Sequence, residues 1–325
     1  MRLEKKRQLL MGAMILLFTI VFLLSLFVGK YPLYFEDLMQ KEEQAVKVFW
    51  TLRFPRTYMA ALTGFGLGTV GMIYQTIFSN PLASPDIIGV SSGAAAGAAF
   101  AILFLSGSVM GITCSAFVGS LLAVVLALVL TMLVPGRGKI TIILSGLAVQ
   151  SLAQTILMIL KLTADPDKEL AAIEYWIMGS LNGITMQDVP FTTVLTLISM
   201  VMLFLLYRQI LLLSIKEEEA ALLGVEVRKM RLLILTFATF IVASVVCVTG
   251  IISFVGLIAP HCARLLTKSY RIEALWLSGF LGGFLLLIAD MLARSVASSE
   301  LPVSIFTTLI GAPFLVWLMI QKESV

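Results

Sequence analysis

The sequence predicts an all-α polytopic membrane protein of about ten transmembrane helices. Three observations carry that prediction. With 59% hydrophobic and 13% charged residues in 325, the chain has too little polar surface to cover a water-soluble domain. Apolar runs close to the length of a bilayer crossing recur along it. Basic residues divide unevenly between the connections, as the positive-inside rule requires of a spanning chain.

Taken in order, the runs fall at about 10–29, 57–78, 88–106, 110–134, 141–162, 190–208, 231–249, 251–263, 272–293 and 303–321. The first follows Arg2, Lys5, Lys6 and Arg7, is longer than a signal-peptide core, and ends at Val28-Gly29-Lys30, which is no small-x-small cleavage site. It is expected to remain as an anchor. Between runs two and three, Asn80-Pro81-Leu82-Ala83-Ser84-Pro85-Asp86 denies two backbone donors and forces a turn before the chain re-enters at Ile87. Such a break is tolerated only where it is buried in protein or lines a cavity. Residues 231–263 would make about 50 Å of helix, too long for one crossing, so a break is expected at Gly250, Gly256 or Pro260.

Placing the N-terminus inside puts 15 of the 23 Lys and Arg residues on the inner side, among them Arg137, Lys139, Arg228, Lys229 and Arg231. The remaining eight, including Lys30, Arg53, Arg56 and Arg294, fall at or near the outer face. An even number of spans returns the C-terminus inside. No linker or low-complexity stretch interrupts the chain, so residues 1–325 are expected to form one membrane domain. The net charge of +4 is explained by the inner loops and implies no nucleic acid. Glycines at GxxxG spacing (Gly64/Gly68, Gly93/Gly97, Gly107/Gly111, Gly279/Gly283) predict close helix contacts.

One charged island, Ser214 to Arg231, stands out from the apolar background. Ser214 and Glu217 have capping-box spacing, and Gly224 suits a left-handed helix stop, so a short surface helix is expected between them. Three stretches have the look of an enzyme or metal motif. Gly89-Val90-Ser91-Ser92-Gly93 has the G-x-S-x-G pattern of a hydrolase elbow, but that pattern needs a strand-to-helix turn and a histidine, and the chain has only His261. Gly136-Arg137-Gly138-Lys139 lacks the Ser or Thr and the spaced glycine of a phosphate loop, so the chain should not bind ATP. His261 lies beside Cys262 and Arg264, but adjacent residues on a helix point about 100° apart and no second cluster of ligands exists, and Cys114, Cys247 and Cys262 show no paired spacing; neither a metal nor a disulfide is expected. Asp290 and Arg294 are four apart, which allows an ion pair on one helix face. Isolated carboxylates in the spans are scarce, which argues against an ion-driven carrier.

Taken together, these stretches resemble the FecCD-type permeases, the membrane subunits of bacterial ABC importers for iron chelates, haem and cobalamin. The residues that carry the resemblance are Leu52-Arg-Phe-Pro-Arg56, Asn80-Pro-Leu-Ala83, Gly89-Val-Ser-Ser-Gly93, Tyr175-Trp-Ile-Met-Gly-Ser-Leu181, Glu217-Glu-Glu-Ala220 with Leu223-Gly-Val225, Gly250 to His261, Ala289-Asp-Met-Leu-Ala-Arg294, Glu300-Leu-Pro302 and Leu309-Ile-Gly-Ala-Pro313. Phe54, Ser84 and Cys262 depart from the usual pattern. The resemblance implies a type II ABC importer permease fold in the bacterial cytoplasmic membrane, both termini cytoplasmic. It also implies pairing with a second permease copy or paralogue, an ABC ATPase dimer inside and an extracytoplasmic substrate-binding lipoprotein outside. ATP would be used by the partner subunits, with no cofactor on this chain. By the same resemblance, Arg53, Arg56 and Arg294 would dock acidic residues of the binding protein. Glu217, Glu218, Glu219, Ala220 and Gly224 would couple to the ATPase, and Thr141, Ser145, Gln150 and Gln154 would line the pathway. The implied cargo is an iron(III) siderophore, with haem or cobalamin as the alternative. A membrane serine hydrolase and a secondary carrier are the readings from other classes.

Overall fold

The computed structural model describes residues 2–105, 107–134, 139–215, 217–224, 226–268, 272–296 and 300–323. Ten apolar helices lie close to the expected spans: α1 (Arg2–Phe27), α4 (Phe54–Ile77), α5 (Val90–Phe104), α6 (Val109–Leu133), α7 (Lys139–Thr163), α9 (Asp188–Leu205), α12 (Val227–Thr249), α13 (Val255–Thr267), α14 (Ile272–Ser295) and α15 (Val303–Glu323). Short helices α2 (Phe35–Met39), α3 (Glu43–Val48), α8 (Glu169–Ile177), α10 (Tyr207–Leu212) and α11 (Glu217–Leu222) occupy the connections. By length and composition α1, α6, α7, α9, α12 and α14 suffice to cross a membrane, while α5, α13 and α15 are shorter apolar helices. The 24 residues of α4 rise about 36 Å.

Helix α6 illustrates how these helices are built. It buries Ala116, Ser120, Ala123, Val124, Ala127 and Thr131, a stripe of mostly small residues at helical period. Its large aliphatics Val118, Leu122, Val125 and Val129 are exposed. Small residues inward and branched ones outward is the arrangement a hydrocarbon solvent favours, since packing rather than water exclusion holds such helices together.

The chain gathers into two compact units. The first comprises residues 1–72, 180–193 and 252–325, in which α14 packs on α1, α13 and α15. A β-carbon at Gly64 would collide with the Gly282 carbonyl of α14, and one at Gly71 with the Gly256 carbonyl of α13. The Ser278 hydroxyl donates to the Gly68 carbonyl at 2.6 Å where the α4 and α14 backbones meet.

The second unit comprises residues 73–179 and 194–251, where α5 packs on α6, α7, α8 and α12. Gly93 and Gly97 of α5 abut the carbonyls of Gly119 and Ser115 on α6. The Gly107/Gly111 pair does not pack helices. Gly107 lies in the turn before α6 with φ +63°, and Gly111 donates its amide to the capping Ser108 hydroxyl at 3.2 Å, so the spacing there serves a helix start.

Both expected interruptions are present. Residues 80–84 turn, a 3₁₀ segment runs from Pro85 to Ile88, and α5 begins after Gly89. Helix α7 packs against that segment, Gly146 lying on the Ile87 carbonyl. Further on, α12 stops at Thr249 and α13 starts at Val255, with Gly250 at φ +69° and Phe254 also left-handed. Of the three residues proposed for this break, Gly250 makes it. Gly256 and Pro260 lie inside α13.

Candidate functional site

The basic cluster in the first unit begins with backbone geometry. Residues Phe49–Arg53 form a π turn that runs directly into α4, with Pro55 in the first turn of that helix. Arg53 and Arg56, three apart across this junction, both turn inward. Arg53 donates to the Val28 carbonyl at 2.5 Å and the Tyr31 carbonyl at 2.9 Å, capping the exit of α1. Gly29 is what admits it, because a β-carbon there would coincide with the Arg53 guanidinium. Burial, followed by repulsion from Arg56, pushes the Arg53 guanidinium below its ordinary pKa.

Arg56 donates from Nε to Asp290 Oδ1 at 2.8 Å and from Nη1 to Glu300 Oε2 at 2.6 Å. Asp290 is fully buried on α14, and its other oxygen pairs with Arg294 Nη2 at 3.2 Å, one helical turn on. The same Nη2 donates to the carbonyl of Ser25 at 2.9 Å and to its hydroxyl. Arg294 Nε and Nη1 are buried with no hydrogen-bond partner among the described residues. A cavity of about 290 Å³ connects these groups, lined by Lys30, Arg53, Arg56, Arg294, Glu300, Asn182 and neighbouring apolar side chains.

The structure thus brings together the three arginines that the sequence singled out. It also shows each of them already engaged. Three guanidinium groups face two carboxylates, so the cluster retains positive charge and invites a further anion. The roles of Gly29, Ser25 and Glu300 at this site were missed. A glutamate just before an apolar run, in a chain poor in acids, was the available signal for Glu300.

The charged island lies in the second unit. Helix α11 spans Glu217–Leu222, Gly224 follows at φ +80°, and Ala220 is buried while Glu219 is exposed. The left-handed stop at Gly224 is as expected. Ser214, however, is no cap: its hydroxyl donates back to the Leu211 carbonyl at 2.6 Å, closing α10 instead of opening α11. The side chains of Glu217 and Glu218 lie outside the described residues. Leu222 is 88% and Leu223 64% exposed, an apolar tip beside the acidic turn. Ser79 joins this segment to two helices. It follows α4, donates to the Ser214 carbonyl at 3.3 Å, and accepts from Lys139 Nζ of α7 at 2.7 Å.

The four residues expected to line a pathway do not come together. At about 100° per residue, Thr141 and Ser145 lie on one side of α7 and Gln150 and Gln154 on nearly the opposite one. Ser145 is buried within the unit, Thr141 and Gln150 are part-buried and Gln154 is exposed.

The remaining motifs resolve without chemistry. Ser91 sits in the first turn of α5, not at a strand end, and its hydroxyl donates to the Asp86 carboxylate. His261 lies edge-on to Phe314, ring centroids 6.0 Å apart. Residues 136–138 of the glycine-rich Gly136-Arg137-Gly138-Lys139 stretch lie outside the described residues.

The comparisons with known proteins agree with one another. The model of the FecCD transport family matches residues 16–321. The cobalamin import system permease protein BtuC of Halobacterium salinarum is 37% identical over 281 residues, 86% of this chain and 75% of that protein. The hemin transport system permease protein HmuU of Yersinia pestis is 32% identical over 329 residues, 97% of this chain and 96% of that one. Among solved structures, an inward-facing conformation of a metal-chelate type ABC transporter superposes with a TM-score of 0.88 at 32% identity, covering 96% of this chain and 99% of the other.

Proposed function

The chain belongs to the FecCD transport family of ABC-importer permeases, and from that premise we propose that it passes an iron(III) siderophore across a bacterial cytoplasmic membrane after delivery by an extracytoplasmic binding lipoprotein. A permease of this kind is not itself an enzyme, and it implies ATPase and binding-protein partners. The observation that carries the proposal is the match in both sequence and fold, over 96% of the chain, to a metal-chelate type transporter.

In this reading both termini lie in the cytoplasm, residues 1–325 form one permease domain, and two permeases, identical or paralogous, pair in the bilayer. The segment around α11 sits on the ATPase dimer, which binds and hydrolyses ATP; the permease carries no cofactor. Leu222 and Leu223 would bury apolar surface in an ATPase groove, while Glu217, Glu218 and Glu219 would meet basic groups at its edge. Motion of that helix would reach α7 through Ser79 and Lys139, and Thr141, Ser145, Gln150 and Gln154 of α7 would contribute to a passage, the two glutamines from the side opposite Thr141 and Ser145. Outside, acidic side chains of the binding protein would enter the cavity of Arg53, Arg56 and Arg294. Nowhere is tight binding of cargo within the membrane required, because a passage that held its cargo firmly would release it slowly.

The names of the relatives give haem and cobalamin as the second reading for cargo. Reconstituting the permease in vesicles with its ATPase and binding protein, and supplying ferric siderophore, haem, cobalamin or molybdate in turn, tests the proposal. ATP-dependent uptake of the ferric siderophore is expected. Uptake of another cargo alone would replace the substrate assignment, and uptake without nucleotide would overturn the importer.

A further inference from the structure

Arg56 holds two carboxylates of different standing. Asp290 is wholly buried, clamped between Arg56 and Arg294, and fixed by its place one turn before Arg294 on α14. Glu300 reaches Arg56 from the non-helical segment just ahead of α15, and its side chain keeps 28% of its surface open. It lines the same cavity as the three arginines.

We infer that Glu300 is an internal stand-in for the carboxylate of the binding protein: it occupies Arg56 while the permease is undocked and gives way when an acidic side chain enters the cavity. The inference rests on the docking reading given above. The other contacts in the cluster are poor candidates for exchange. Arg53 is committed to the Val28 and Tyr31 carbonyls, and releasing it would uncap α1. Breaking Arg56 from Asp290 would leave a wholly buried carboxylate with Arg294 alone to compensate it, a costly change in such a site. The Arg56–Glu300 pair is the weakest link, because it is the one of these contacts that solvent partly reaches, through the 28% of the Glu300 side chain left open.

An exchange of one carboxylate for another leaves no guanidinium unpaired at its end. Arg294 Nε and Nη1, buried and without hydrogen-bond partners among the described residues, supply donors for the second oxygen of an incoming acid. Glu300, Leu301 and Pro302 lead straight into α15, which packs on α13 and α14. Releasing Glu300 would remove one of the ties at the start of α15, the Leu301 amide bond to the Ala293 carbonyl at 3.2 Å being another, so docking would alter the hold of α14 on α15 as well as make an attachment.

The test uses the complete permease–ATPase complex in lipid nanodiscs, titrated with its cargo-free binding protein at low and high salt. Glu300→Gln keeps the shape but removes the competing charge. It is expected to tighten docking about fivefold or more at low salt, the worth of a partly exposed ion pair, with a steeper salt dependence. Docking equal to or weaker than wild type would overturn the inference. Should Glu300→Gln fail to assemble, Glu300→Asp shortens the reach while keeping the charge, and it too must dock more tightly than wild type for the inference to stand. Arg56→Gln separates the two claims. If it docks as well as wild type, the docking reading itself fails; if it docks poorly while Glu300→Gln shows no gain, docking stands and the exchange fails.

Discussion

Arg56 on α4 donates from Nε to Asp290 on α14 at 2.8 Å, a charge-assisted bond between residues 234 positions apart in sequence. Around it α4 and α14 approach so closely that Gly64 and Gly282 meet through their backbones. The first unit is therefore pinned by a buried charge at one level and by glycine contact at another.

Asp290→Ala removes the carboxylate shared by Arg56 and Arg294 and leaves both guanidiniums under-compensated in a buried site. A loss of about 3–5 kcal/mol is expected, the range for breaking one side of a buried ion pair. Thermal unfolding of the purified permease in detergent measures it, and an unchanged midpoint would show that the network bears no stability.

Gly64→Leu places a branched side chain against the Gly282 carbonyl of α14. Overpacking of this kind costs about 1–3 kcal/mol or more, so a lower unfolding midpoint and reduced yield of assembled complex are expected. Gly107→Ala is the control at a glycine without a packed neighbour, in the turn before α6: a β-carbon there meets only the Ile102 carbonyl, 3.9 Å away, and the left-handed turn alone should cost about 1 kcal/mol.

Replacing Glu218 and Glu219 together by Lys reverses the charge of α11 without touching buried Ala220. Insertion and binding-protein docking should persist while ATP-driven uptake falls at least tenfold. Uptake at the wild-type rate would remove the coupling assignment.

Ser79→Ala deletes the hydroxyl that links Lys139 of α7 to the Ser214 carbonyl. If α11 drives α7 through this joint, ATP hydrolysis should continue while cargo moved per ATP declines several-fold. A parallel fall in both rates would indicate a structural role alone.

Much of this was readable in the sequence, and the limits have physical causes. Hydropathy placed the ten helices, because a bilayer crossing demands a long apolar run that few other structures need. That residues 231–263 must break followed from length alone, while the choice of Gly250 over Gly256 and Pro260 came only with the structure. Arg53, Arg56 and Arg294 were found by type, yet their partners were not, since Asp290 and Glu300 reach Arg56 from 234 and 244 residues away. Only the i, i+4 pairing of Asp290 with Arg294 was local enough to anticipate. Ser214 misled because a hydroxyl can donate backward to a carbonyl as readily as it accepts from the next turn. Thr141, Ser145, Gln150 and Gln154 were implied as a pathway lining by resemblance alone, and the five-residue step from Ser145 to Gln150 puts the two pairs on opposite sides of α7.

The most direct test is sidedness. In a variant whose Cys114, Cys247 and Cys262 are replaced by Ala, single cysteines at Asn182, beside the arginine cavity, and at Leu222, on the tip of α11, are exposed to a membrane-impermeant maleimide. Intact spheroplasts should label Asn182→Cys at once and Leu222→Cys only after permeabilisation. Labelling of both from the same side would contradict an importer driven from within and loaded from without.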